Sequence, residues 1–179
     1  MRLGNEKAAL ELYNELSPKL FGFCMNRLGN RTTAEDLTQE IFIKVVEKIE
    51  SYNPERGNFT SWFWQLARNT LIDHYRKPKD VPFSDLVNEN SEDESDTVER
   101  LLVGDAAKEA EQRTMINEVM AVLQAFSDEE QELFRLRYVA ELSYKDIASV
   151  LNKPEGSLRV ASLRLKEKMR RKLLNEHGN

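Results

Sequence analysis

Cysteine is nearly absent from this chain. Its one cysteine, Cys24, excludes an internal disulfide, and with only two histidines beside it a zinc site has too few soft ligands. Cys24 lies in the apolar run Leu20-Phe21-Gly22-Phe23-Cys24-Met25, which predicts burial as a small hydrophobe. Seven glycines and five prolines in 179 residues are too few for a turn-dense β fold. No run of about 18 apolar residues exists to span a membrane, and the amphipathic N-terminus does not resemble a signal peptide, so the chain reads as cytoplasmic. A glycine-rich phosphate loop is missing, so no nucleotide-driven step is implied, and no cofactor is expected.

What is abundant is Leu, Glu, Lys, Ala and Arg, the residues that helices favour. Hydrophobic residues make up 40% and charged residues 32%, enough for a core beneath a charge-rich surface. The predicted fold is all-α: two small helical domains over 1–77 and 113–179, joined by a flexible acidic linker over 78–112.

The net charge of −5 argues against nucleic acid until it is divided along the chain. Residues 79–112 hold 3 basic and 11 acidic side chains, whereas 153–172 hold 8 basic and 2 acidic. The acidity therefore belongs to the linker, and a positive stripe belongs to the C-terminus. The linker stretch Asn88-Glu89-Asn90-Ser91-Glu92-Asp93-Glu94-Ser95-Asp96 has too little apolar surface to offset its ordering entropy.

In the first block, Leu10, Tyr13, Leu16, Leu20, Phe23 and Leu28 recur at helical spacing, and Gly29-Asn30 supplies a stop. Thr32 with Glu35 three residues on predicts a capping box opening a second helix, which carries Leu37, Ile41, Phe42, Val45, Val46 and Ile49. After the break at Tyr52-Asn53-Pro54 comes a polar loop. A third helix then runs from about Thr60 to Arg76, with Trp62, Phe63, Trp64, Leu66, Leu71, Ile72 and Tyr75. Its mixture of aromatic, basic and amide groups suits unpaired bases, although Trp62, Phe63, Leu66 and Ile72 at helical spacing read first as core.

In the last block, Ser127-Asp128-Glu129-Glu130 is a second capping box, and Ser143 caps a short helix holding Ile147, Ala148, Val150 and Leu151. Asn152-Lys153-Pro154 ends that helix and lets a basic one begin, with Leu158, Leu165, Met169 and Leu173 on one face. A capped short helix, a tight turn and a basic helix are the layout of a helix-turn-helix, whose second helix enters the major groove. Ser157 and Arg159 fall in its first turns, where side chains meet bases and phosphates. Arg164 is five residues on, roughly 140° round the helix, and Lys166, Lys168, Arg170, Arg171 and Lys172 extend the phosphate-binding stripe.

Taken together, three separated motifs resemble those of bacterial RNA polymerase sigma factors, in that family's order. Thr33-Ala34-Glu35-Asp36-Leu37-Thr38-Gln39-Glu40-Ile41-Phe42-Ile43-Lys44-Val45 resembles the region 2 helix that binds core polymerase. The stretch from Phe59 to Lys77 resembles the promoter-melting element. Leu142-Ser143-Tyr144-Lys145-Asp146-Ile147-Ala148 and Pro154-Glu155-Gly156-Ser157-Leu158-Arg159 resemble region 4. Without the extra domains of housekeeping members, the chain resembles the extracytoplasmic-function group.

The resemblance implies a non-enzymatic factor that takes core RNA polymerase to promoter DNA and helps open it. It implies that Asp36, Gln39, Glu40, Phe42 and Lys44 meet the polymerase, and that Asn58, Phe59, Trp62, Arg68, Asn69, Asp73 and Arg76 meet the −10 element. Ser157, Arg159, Arg164 and Lys166 would meet the −35 duplex. Val160-Ala161 departs from the polar step common in the family and could contact only apolar groups such as a thymine methyl. An anti-sigma factor is a further implied partner.

Two rival readings differ in class. A conventional helix-turn-helix regulator would bind duplex DNA without core polymerase. An enzyme built on Asp73-His74 lacks a third catalytic partner, and adjacent helical residues diverge by roughly 100°. The sigma reading takes the two blocks as separate modules. It is opposed by a single fused core with the aromatic helix sealed inside and the basic helix packed on it.

Overall fold

The computed structural model describes residues 6–76, 115–116 and 118–176, and the predicted linker over 78–112 lies wholly outside them. The described residues form helices and turns only. Three helices, α1 (Glu6–Leu28), α2 (Arg31–Lys48) and α3 (Phe59–Arg76), make the N-terminal block. A helical segment over 118–124, then α4 (Asp128–Phe134), α5 (Tyr144–Leu151) and α6 (Glu155–Glu176), make the C-terminal block.

The helix ends follow local chemistry. Gly29 adopts φ 68°, a left-handed value that glycine reaches without strain, and its N–H donates to the Met25 carbonyl at 2.9 Å. Here the predicted capping box shifts. Asn30, not Thr32, is the N-cap of α2, its Oδ1 accepting from the Thr33 N–H at 2.9 Å. Glu35 is instead drawn to Arg31 one turn back, at 2.9 Å. The box at Ser127 and Glu130 forms as predicted, with both reciprocal hydrogen bonds present. Ser143 caps α5, and Asn152 ends it in the left-handed conformation, φ 51°.

Beyond α4 the helix widens into a π-helical turn over Arg135–Val139, closed by the Ala140 N–H donating to the Arg135 carbonyl at 2.8 Å. Periodicity gives no hint of this turn.

Two apolar clusters hold the protein together. The smaller, inside the C-terminal block, joins Val122, Leu123, Phe126, Phe134, Leu165 and Met169. The larger runs from Leu20, Phe23, Cys24, Leu37, Ile41, Phe63, Trp64 and Leu71 into Leu133, Leu136, Ala140, Leu142, Ile147 and Val150. The blocks are therefore docked, not apart: α1 meets the π turn and α3 meets α5. The opposing condition is met in one half only. The core is shared, but the aromatic helix faces α5, while the interior of the basic helix belongs mainly to the smaller cluster.

Cys24 is buried as predicted, and burial pushes its thiol up to about 11 against a weaker opposing hydrogen bond with Thr38. Arg135 is buried at 4% exposure, between Asn26 of α1 and Gln131 of α4, with hydrogen bonds of 3.4 and 3.3 Å. Gly22 faces Val139 so closely that a Cβ there would lie 3.1 Å from its methyl.

Candidate nucleic-acid interface

The loop before α3 is folded by its own polar groups. Asn53 Oδ1 accepts from the Glu55 N–H at 2.9 Å, and Tyr52 donates its hydroxyl to the Gly57 carbonyl at 3.2 Å. Asn58 Oδ1 accepts from the Ser61 N–H at 2.8 Å, so the side chain opens α3. Tyr52, Phe59 and Trp62 form a mutual ring cluster with centroids 5.5 to 5.6 Å apart. Tyr52 and Trp62 border a cavity of about 350 Å³ whose other walls include Asn53, Arg56, Asn58 and Gln65. Phe59 and Trp62 are half-buried, with rings partly open to a ligand, whereas Phe63 and Trp64 are sealed in the core. Of the two expectations for this helix, core packing holds for Phe63, with Trp64 and Leu71 buried beside it, while Trp62, Leu66 and Ile72 are half-buried.

Farther along α3, Asn69, Asp73 and Arg76 are exposed. Arg68 is half-buried and engaged, donating from Nε and Nη2 to Glu132 at 2.6 and 3.2 Å. Asn58 is engaged too, through Nδ2 to Asp146 Oδ1 at 2.7 Å. Of the predicted −10 residues, the structure thus leaves three exposed on α3 and two tied to the C-terminal block. His74 lies edge-on to the Tyr75 ring, centroid 6.4 Å away.

On α2, Asp36 and Gln39 are exposed and Glu40 pairs with Lys44 at 2.6 Å. Phe42 points largely inward, against Tyr13 at 4.7 Å and Phe63 at 5.9 Å. Its contribution is to seat α2, with less ring left for a partner. Ile43 and Val46 take the outward place, 59% and 63% exposed. Sequence reasoning did not single them out as surface; the signal was that Ile41-Phe42-Ile43 and Val45-Val46 exceed what one buried face can hold.

The last two helices have the predicted layout. Ile147 and Val150 of α5 are buried, Ala148 and Leu151 partly so, fixing its angle to α6. Arg159 is held by Glu155 at 3.0 Å and lies over the Tyr144 ring at 5.0 Å, with Arg137 over the same ring, also at 5.0 Å. Tyr144 in turn donates to Ser162 at 2.9 Å. Ser157, Val160, Arg164 and Lys166 are exposed. Lys168, Arg170, Arg171 and Lys172 continue the exposed positive face. Such a surface, a rigid helix start followed by five or more cations, is built for duplex DNA.

The Sigma-70 region 2 model matches residues 12–80, and the Sigma-70 region 4 model matches residues 116–169. The chain belongs to the extracytoplasmic-function group of RNA polymerase sigma factors. It directs RNA polymerase to promoters, and the regulator alternative is not favoured. The sigma factor is 27% identical over 176 residues to the extracytoplasmic-function RNA polymerase sigma factor SigW of Bacillus subtilis, covering 97% of this chain and 92% of that one. It is 26% identical to SigM of the same organism, covering 89% and 91%. Among solved structures, the sigma factor RpoE from Bartonella quintana, in complex with the anti-sigma factor NepR, has the same fold. The TM-score is 0.63 at 18% identity, covering 93% of this chain and 97% of that one. Sigma factors are not, as a family, enzymes. No helix among the described residues is long and apolar enough to cross a membrane.

Proposed function

We propose a division of labour between two domains, 1–77 and 113–179, with 78–112 as their tether. The region 2 domain docks on core polymerase through α2, with Asp36, Gln39, Glu40 and Lys44 as polar contacts and Ile43 and Val46 as apolar ones. The loop and α3 receive unpaired −10 bases: Asn58 and Trp62 at the cavity with Phe59 packed behind, Arg68, Asn69, Asp73 and Arg76 along the backbone and duplex edge. Ser157, Arg159, Arg164 and Lys166 hold the −35 duplex. The observation that carries this is the ring-lined cavity at the head of α3, beside an exposed row of amide and charged groups.

Melting energy comes from base capture and polymerase contacts, and the factor works in the cytoplasm. Val160, 47% exposed, would meet thymine methyls, which leaves much of the −35 affinity to phosphates and groove shape. A partner that masks both domains, as NepR accompanies RpoE in the Bartonella structure, fits a two-domain factor of this kind. Transcription in vitro with purified core enzyme over a randomised promoter library tests the reading. Trp62→Ala and Asn69→Ala should each lower open-complex formation while leaving co-purification with core polymerase intact. Failure of the wild-type chain to co-purify with core would overturn it in favour of a polymerase-independent regulator.

A further inference from the structure

Two of the groups assigned above to the −10 strand, Arg68 and Asn58, are occupied. Arg68 grips Glu132 through two parallel N–H bonds of 2.6 and 3.2 Å, the same side-by-side grip a guanidinium uses on a phosphate. Asn58 Nδ2 and Ser61 Oγ both donate to one oxygen of Asp146, at 2.7 and 3.1 Å. Glu132 stands on α4 and Asp146 on α5, so both carboxylates come from region 4 and both recipients from region 2. Ser149 of α5 completes the wall of the ring-lined cavity. Ser61 and Arg68 lie seven residues apart, on one face of α3, so the two ties cover a single stripe.

We propose that Glu132 and Asp146 serve as an internal stand-in for the −10 strand, closing the factor on itself and competing with single-stranded DNA for Arg68, Asn58 and Ser61 until polymerase parts the domains. This rests on the assignment of Arg68 and Asn58 to the strand, with Ser61 their neighbour on the same face. Two features favour a competitor over a mere brace. The stand-ins are anions set against the groups assigned to the strand, and Asp146 is held on its own helix independently of region 2. Asp146 keeps its bond from the Ser143 hydroxyl, so it stays aimed when Asn58 leaves. The Arg68–Glu132 pair is also accessible enough to exchange, with side chains 27% and 21% exposed.

Further ties at the same seam, Lys19 to Glu141 at 2.9 Å and Arg27 to Asp128 at 3.1 Å, involve none of the groups assigned to the strand. They assist closure without competing for DNA. The seam also contains the close approach of Gly22 to Val139, which offers an independent way to force it open.

The test uses the full chain without polymerase, a fluorescein-labelled single-stranded DNA of mixed sequence, and small-angle scattering for overall size. Glu132→Gln with Asp146→Asn should enlarge the radius of gyration and tighten oligonucleotide binding by about fivefold, the range of one partly exposed ion pair and the hydrogen bonds beside it. Gly22→Leu, which wedges the seam without touching either carboxylate, should do the same. The charge exchange R68E with E132R should restore compactness but not binding. Wild-type size and affinity in the double variant would overturn the proposal, as would opening with no gain in affinity. Arg68→Ala, assayed as open-complex formation with core polymerase, examines the strand assignment separately. Normal open complexes there would remove that assignment, whereas reduced open complexes beside unaltered affinity in the double variant would sink the competition alone.

Discussion

Replacing Arg135 by methionine should raise the stability of this fold by about 1 kcal/mol, against the usual direction for core substitutions. The side chain is 4% exposed, and its guanidinium makes hydrogen bonds of only 3.4 Å to Asn26 and 3.3 Å to Gln131. Burial, with Arg27 as the second cause, pushes the group down to about 10, although the carboxylates of Glu132 and Asp128 pull the other way. Desolvation thus outweighs attraction, while the cation persists at neutral pH. Methionine has similar length, keeps the apolar stem and drops the charge. Asn26 and Gln131 are half-buried, so water can take over their carbonyl oxygens. In a protein of this size, 1 kcal/mol corresponds to roughly 2–4 °C in Tm, readable by calorimetry. A fall of several degrees would refute the reasoning, because it would mean that Glu132 and Asp128 more than repay the buried charge.

Trp64→Ala should cost about 3–5 kcal/mol in urea unfolding, since the ring is fully buried edge-on to Phe23 at 5.3 Å and Phe63 at 5.5 Å; a loss under 1 kcal/mol would contradict that packing. Ser127→Ala should cost about 1 kcal/mol by removing one half of the α4 capping box, and an unchanged midpoint would show that Glu130 suffices. Burial pushes the Asp146 carboxyl up, but hydrogen bonds from Ser143, Asn58 and Ser61 outweigh it and hold the group below its ordinary 3.8. A depressed carboxylate contributes stability above its unfolded value and loses it as pH falls through the folded one. Asp146→Asn should therefore be less stable than the parent at pH 7, with the gap closing below about pH 4; a gap independent of pH would exclude the carboxylate as its source.

Helix positions and stops were legible because each had a local cause: Gly29, Ser127, Ser143 and Asn152 act within a turn of themselves. The error at Thr32 arose because Asn30 was read only as part of the preceding stop, whereas its side chain is the one that reaches the Thr33 N–H. The helix-turn-helix was legible for the same local reason, along with exposed Ser157, Arg164 and Lys166. The docking of the blocks was not, because Leu136, Ala140 and Ile147 read simply as core and a sequence does not say whose core. Nor did it say that Arg68 and Asn58 face acids more than 60 residues away. The packing of the Phe42 ring against Tyr13 and Phe63 was hidden in the same way, because both partners stand on other helices.

The π turn over Arg135–Val139 amounts to one surplus residue in an otherwise α-helical path. Deleting a single residue there would rewind the segment and swing whatever follows by roughly 100°. Val139 would then leave its place against Gly22, and the fit between the halves would be lost although every helix survived. How this sigma factor folds up on itself is thus written in the length of one turn, not in the composition of either half.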